Sequence, residues 1–270
     1  MAGPSLTVDV SGNPFVEVFF DSVAPGTSTV TVYRLSEDRQ WLVRGGVGIG
    51  TGIAALDFEV PFRTPATYRA EQFDALGNSL GFTDSSHVTV DYEGTVVHNP
   101  LVPASLWAPV RILADVVAPL RRPTDGELVY VEGASVAKWI GTRRQGLRDV
   151  PVSFLTETID AADRVQAMLG TYVTQQVGVL CIRTSDNVRW PRSFFVHGDL
   201  SEIEQNVRFN GSRIRFDAQM DEVEPPFPGL VTPLLTYDDL DAFGNYTAQD
   251  AGWLTYTDRD RAYELAGLAG

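Results

Sequence analysis

Short runs of apolar residues, broken by turns, dominate the first ninety positions. PFVEVFF and STVTVYRL are rich in Val, Phe and Tyr and read as strands. In ALDFEV, Leu56, Phe58 and Val60 alternate with Ala55, Asp57 and Glu59, which predicts a strand with one apolar and one polar face. TYRAEQF is followed by the turn Asp74-Ala75-Leu76-Gly77-Asn78 and by a further strand near HVTVDY. No helical period occurs in this region. The pattern predicts a small β-sandwich over residues 1–92.

Residues 93–104, EGTVVHNPLVPA, read as a connection to a second domain over 105–224. Strand patterns resume at APVRILADV, ELVYVE and VPVSFLTE. One helix is predicted over 158–169. Thr156 or Thr158 can cap it, Asp160 suits its first turn, and Gly170 suits the residue beyond its end. Ile159, Ala162, Val165, Met168 and Leu169 form an apolar stripe that should pack on a sheet. GVLCIRT, SFFVHGDL and NVRF follow as strands. Asn210-Gly211 predicts a type I′ hairpin turn, because both positions tolerate positive φ. Downstream, Ile214, Phe216, Ala218 and Met220 alternate with Arg213, Arg215, Asp217 and Gln219. The first set is core; the second is solvated or bound by a partner.

Residues 225–270 begin with PPFPGL, which fits neither a helix nor a central strand. Tyr237, Tyr246 and Tyr256 then recur in LTYDDLDAF, GNYTAQDAG and LTYTDRDRA. This reads either as a short aromatic repeat or as a partly disordered acidic tail.

At 270 residues the chain is long enough for two cored domains. No apolar run approaches the roughly 20 residues of a membrane span. MAGPSLTVDVSG lacks the basic and apolar regions of a secretory signal, which predicts assembly in the cytoplasm. The net charge of −14 argues against a general nucleic-acid-binding surface. Lys138 is the only lysine and arginine supplies every other basic side chain, as a GC-rich genome would produce. Cys181 is alone, so no disulfide framework or thiolate metal cluster is expected.

Several motifs look chemical. Ser135-Val136-Ala137-Lys138 and Ser185-Asp186-Asn187 match two elements of penicillin-binding enzymes, but a sequence with one lysine cannot supply the third, K-T-G. The glycines of 46–52 follow no dinucleotide-binding spacing. His87, His98 and His197 are scattered, and His197, Asp199 and Ser201 lack a nucleophile elbow. Asp239, Asp241 and Asp250 faintly match a calcium loop, with Phe243 where an oxygen ligand belongs. No carboxylate pair is singled out for glycoside hydrolysis. No catalytic, cofactor-binding or metal-binding residue is assigned, and the chain is read as a non-enzyme.

The order of elements carries a resemblance. VVHNPLVP, the TETIDAADRVQAMLG helix, VLCIRT, FFVHGDLSE and QMDEVEPP resemble the core of distal-tail and minor tail proteins of long-tailed bacteriophages. TYRAEQFDALGNSLGFTDSSHVTV resembles the last two strands of a fibronectin type III or immunoglobulin-like domain. The tyrosine repeats resemble C-terminal extensions of some actinobacterial-phage minor tail proteins. The fold so implied is mainly β. An immunoglobulin/fibronectin III-like sandwich precedes a tail-tube/distal-tail-like β-sandwich with one packed helix, then a C-terminal extension. The function so implied is structural. The subunit would form a homo-oligomeric ring, hexameric or otherwise cyclic, in the virion tail, docked to tail-tube, tape-measure and tail-tip proteins. The genome would pass through without specific binding. The candidate assembly surface is Arg213, Arg215, Asp217, Gln219, Tyr237, Tyr246 and Tyr256. The alternative is an adhesion module that recognises host-surface glycan.

Overall fold

The computed structural model describes residues 3–50, 52, 54–113, 120–170, 175–205, 211–227, 237–253, 255, 259 and 265. The chain is mainly β. The first unit contains β1 (Ser5–Asp9), β2 (Phe15–Phe19), β3 (Thr29–Ser36), β4 (Arg39–Leu42), β5 (Ile49–Gly50), β6 (Ala55–Asp57), β7 (Ala66–Phe73), β8 (Ser79–Phe82) and β9 (Ser86–Val88). β1, β2 and β6 form one antiparallel sheet. β4, β3, β7 and β8 form the other, with β5 paired to β3 and β9 to β7. Val16 and Val18 from the first sheet share an apolar cluster with Val32, Tyr68 and Ala70 from the second. At the turn after β7 the Asp74 carboxylate accepts from the backbone N–H groups of Leu76 and Asn78, both at 2.8 Å. That Asx geometry fixes the reversal and holds the Asp74 carboxyl below its ordinary range, chiefly through the Asn78 hydrogen bonds.

The alternation in ALDFEV does not mark a polar outer face. β6 is only three residues long, and Asp57 and Glu59 are both buried. Each points a carboxylate at a buried arginine, so the polar half of the pattern also lies inside.

The second unit is built from β10 (Thr95–His98), β11 (Trp107–Ile112), β14 (Val150–Thr156), α1 (Ile159–Leu169), β15 (Leu180–Thr184), β16 (Ser193–His197), β17 (Ser201–Gln205) and β18 (Arg213–Glu222). The pairing order is β14-β11-β10-β15-β16-β18, and β18 also pairs with β14. The sheet therefore closes on itself as a six-stranded antiparallel barrel rather than two facing sheets. The length of β18 permits closure. Residues 214–220 pair with β14, while the other edge of β18 pairs with β17 at 213–217 and with β16 at 221–222. Closure gives each of the six barrel strands a partner on both sides, while β17, among the described residues, pairs with β18 alone.

Residues 95–98 of the segment expected as a linker, 93–104, form a strand of the barrel. β10 lies between β11 and β15, and all four of its residues are buried. Val97 faces the barrel core and Val96 faces the core of the first unit. One short strand thus forms a wall common to both cores.

α1 starts at Thr158, whose hydroxyl accepts from the Ala161 N–H at 3.2 Å, and stops at Gly170 with φ +96°. Ala161, Ala162, Val165 and Met168 are buried in the barrel's apolar cluster, and the helix touches β10, β11, β14 and β18. Ile159 is exposed, so it does not belong to the buried stripe. The Asn210-Gly211 turn falls partly outside the described residues. Gly211 has φ +53°, and the described ladder pairs Gln205 with Arg213.

Among the described residues, four elements stand outside both cores. β12 (Thr124–Val129) and β13 (Lys138–Arg144) form a two-stranded antiparallel ribbon between β11 and β14 in the chain. α2 (Tyr237–Phe243) and α3 (Tyr246–Gly252) pack on each other. Asn245 caps α3 by accepting from the Ala248 N–H at 3.1 Å. The tyrosine repeat at 237 and 246 therefore marks two helix starts.

Candidate functional site

The outward face of the shared barrel wall carries Val96, His98, Cys181 and Arg183, and it meets the first unit. Val96 is opposite Arg183, and His98 opposite Cys181. The Arg183 guanidinium is buried. It donates to the carbonyl oxygens of Pro14 at 2.7 Å and Val60 at 3.3 Å and to the Asn13 side-chain oxygen. The Asn13 amide in turn donates to the Pro103 carbonyl at 2.7 Å. Arg183 also lies 4.6 Å from the centre of the Phe62 ring. Neutral acceptors thus do most of the holding, and burial lowers its pKa to about 10. His98 is fully buried, with Nδ1 3.3 Å from the Asn99 carbonyl and no partner at Nε2. Burial, reinforced by Arg183, drives its pKa well down, so the imidazole is neutral. Burial pushes the Cys181 thiol up to about 12, which removes it as a nucleophile.

Two further buried pairs lie in the first unit, and one of them reaches the second. Arg34 donates to both oxygens of Asp57 at 2.7 Å, and the Tyr68 hydroxyl donates to the same carboxylate at 2.7 Å. Burial pushes the Arg34 pKa down, but Asp57, Tyr68 and Glu59 together more than reverse this. Arg44 donates to Glu59 at 2.7 Å and to the backbone carbonyls of Pro226 and Phe227 at 2.8 and 3.1 Å. Burial raises the Glu59 pKa against the opposing pull of Arg44. The proline-rich exit from β18 is therefore pinned to the first unit through the only donors that reach it in this pair.

Beside the pinned exit lies a cleft of about 990 Å³ between β4, β16 and the start of the exit. Trp41 lies in it with Arg39, Phe195, Glu59, Glu222 and Glu224 on its walls. The Trp41 ring is 6.3 Å from Phe195 and 5.7 Å from the Arg39 guanidinium. Glu222 accepts from the Leu147 N–H at 2.7 Å and is thereby committed to the chain's own backbone.

The residues expected on an assembly surface fall into two places. Arg213, Arg215, Asp217 and Gln219 project from β18, where in-chain partners engage the first three. Arg213 pairs with Glu157 at 2.6 Å and Arg215 with Asp217 at 2.8 Å, while Asp217 accepts from the Ser153 hydroxyl. Burial opposes it, but the hydrogen bonds from Arg215 and Ser153 hold the Asp217 carboxyl below its ordinary range. Tyr237 and Tyr246 are exposed on α2 and α3, which form no packed contact with β18. Tyr256 lies outside the described residues.

Among the described residues, an exposed apolar concentration that was not anticipated lies on the ribbon. Leu128, Tyr130, Val131, Val136, Trp139 and Ile140 are all exposed on the β12–β13 ribbon and its tip. The sequence signal was charge rather than hydropathy: residues 121–148 carry six of the cations of an acidic chain. The chemical-looking motifs are dispersed. Ser135 and Lys138 lie at the exposed ribbon tip, Ser185 is hydrogen-bonded to the Gly94 backbone, and His197 lies beside the Gly178 carbonyl. Asp239 and Asp241 lie on α2 and Asp250 on α3, not in a loop. Among the described residues, no group of three His, Cys, Asp or Glu side chains could hold a metal ion, and no helix is long and apolar enough to cross a membrane.

Comparison with family models, curated proteins and solved structures found no match to this chain.

Proposed function

We propose that the chain is a structural subunit of a bacteriophage tail, of the distal-tail or minor-tail kind, that acts by assembly. The observation that carries this reading is the β12–β13 ribbon. It places six large apolar side chains in water on an element that, among the described residues, has no third strand behind it. Exposed apolar area of this kind marks interaction sites. On this reading the first unit is the immunoglobulin/fibronectin III-like module and the barrel with α1 is the tail-tube/distal-tail-like core. The buried Arg183 and Arg44 contacts suit such a part, because they tie the two units together. The partners are further copies of the chain and neighbouring tail proteins, in the virion tail after assembly in the host cytoplasm. Electron microscopy of phage particles labelled with antibody to this chain tests it: gold on the tail supports the reading, and gold absent from the tail sinks it.

A second reading is host-glycan adhesion, favoured by Trp41 with acidic and basic neighbours in the 990 Å³ cleft. Binding of the full chain to a glycan array, lost in Trp41→Ala, would support it; no binding on the array removes it.

A further inference from the structure

The stretch 121–148, which carries the exposed ribbon, differs from the rest of the molecule in charge as well as in hydropathy. Between Arg121 and Arg148 there are six cations and three carboxylates, Asp125, Glu127 and Glu132. The segment is therefore +3 in a chain of −14, which leaves −17 on the remainder; the excess sits at the ribbon's base, on Arg121, Arg122 and Arg148, because residues 124–144 hold three cations and three carboxylates. Lys138, Arg143 and Arg144 are exposed on β13 itself. Trp139 is half-exposed and spans the paired glycines Gly126 and Gly141. A Cβ on either would come within 2.8 Å of its indole. The indole thus fills a gap between two strands and shows its other face to water.

A two-stranded ribbon without backing is marginal in water. Among the described residues, β12 and β13 pair with no other strand. A covering surface would supply the missing burial, and it should offer aromatic area together with negative charge. α2 and α3 offer both. Tyr237, Phe243 and Tyr246 are exposed there, interleaved with exposed Asp238, Asp241 and Asp250. Within one chain the ribbon and the helix pair form no packed interface.

We infer that the β12–β13 ribbon of one copy docks on the α2–α3 pair of a second copy. The inference rests on the assembly reading above and names its contact. The two surfaces differ, so the contact is heterologous: each copy uses its ribbon on one neighbour and its helices on the other, as rings and filaments require. Nucleic acid is the weaker occupant. Three carboxylates interrupt the cationic run, and the acidic remainder repels phosphate.

A charge swap in the full-length chain tests the contact by sedimentation velocity across a concentration series at low salt. Wild type should sediment faster than a monomer as concentration rises. K138E/R143E/R144E and D241R/D250R should each associate at least about tenfold more weakly, because like charges then face one another. An equimolar mixture of the two variants should associate again, since each reversed surface meets its complement. That rescue also shows that both variants are folded. Three outcomes overturn the inference: a monomeric wild type, a ribbon variant that associates like wild type, or a mixture that stays monomeric. Ribbon-dependent binding to duplex DNA without self-association also overturns it and makes nucleic acid the occupant. Gold on the tail with a failed swap removes this contact and leaves the tail reading standing. A successful swap with unlabelled tails does the reverse.

Discussion

Acidification should weaken this protein through His98. The imidazole is fully buried, where β10 meets the first unit, and it faces the buried Arg183 cation, with Cys181 opposite it in the ladder. Burial and that cation both hold its pKa well below 6.5. A base with a depressed native pKa binds fewer protons folded than unfolded, so stability is complete above the unfolded pKa and is lost as pH falls through it. Below pH 6.5 the loss from this group is about 1.4 kcal/mol per pH unit until the native pKa is reached. Between pH 7.5 and 5.5 it therefore amounts to about 1.4 kcal/mol. His98→Leu removes the titrating group at similar size. Urea unfolding of both proteins at pH 7.5, 6.5 and 5.5 isolates the effect. His87 and His197 are common to both and cancel in the difference. The stability of the variant relative to wild type should rise by about 1.4 kcal/mol over that range. A difference that stays flat would refute the account, because it would mean that His98 protonates as easily folded as unfolded.

The other predictions concern the junction and the first core. Asp57→Asn should cost about 3–5 kcal/mol in urea unfolding, since Arg34 would keep its charge in the interior without a carboxylate; a loss under about 1 kcal/mol would show that the pair is not buried as described. Cys181 should resist a thiol-reactive dye in the native protein at pH 8 and label fully in urea, and native labelling would contradict its burial. Gly46→Val should destabilise by about 1–3 kcal/mol or more, because even its Cβ would sit 3.0 Å from that of Val32; unchanged stability would mean that the two sheets can part there.

Local chemistry was legible where one segment carried its own instructions. Thr158, Asp160 and Gly170 bracket α1 whatever packs on it, and Val165 and Met168 mark its inner side. Asp74 and Asn78 fold their turn with their own side chains. β3 and β7 are eight-residue runs whose composition already favours strands. Other segments misled because their outcome depends on distant partners. TVVH looked like part of a linker since it is four residues long and precedes Asn-Pro, yet β11 and β15 make it a central strand. Asp57 and Glu59 looked solvated because the arginines that neutralise them are 23 and 15 residues away in the chain. Two seven-residue helices carry too short a period to outweigh a tyrosine repeat.

The assembly surface divides in the same way. Arg213, Arg215 and Asp217 were chosen because strand alternation turns them outward, and alternation does place them there. Whether such a face is free depends on what lies beside it, and Ser153 and Glu157, brought across by β14 and the residue that follows it, engage them. The sequence by itself determined strand content, the one long helix and the acidic balance, since each follows from neighbours along the chain. Closure of the second sheet, the sharing of β10 by both cores and the position of the exposed ribbon clear of them came from the three-dimensional arrangement. Those features arise from pairings between segments tens of residues apart, and no local pattern encodes which segments will meet.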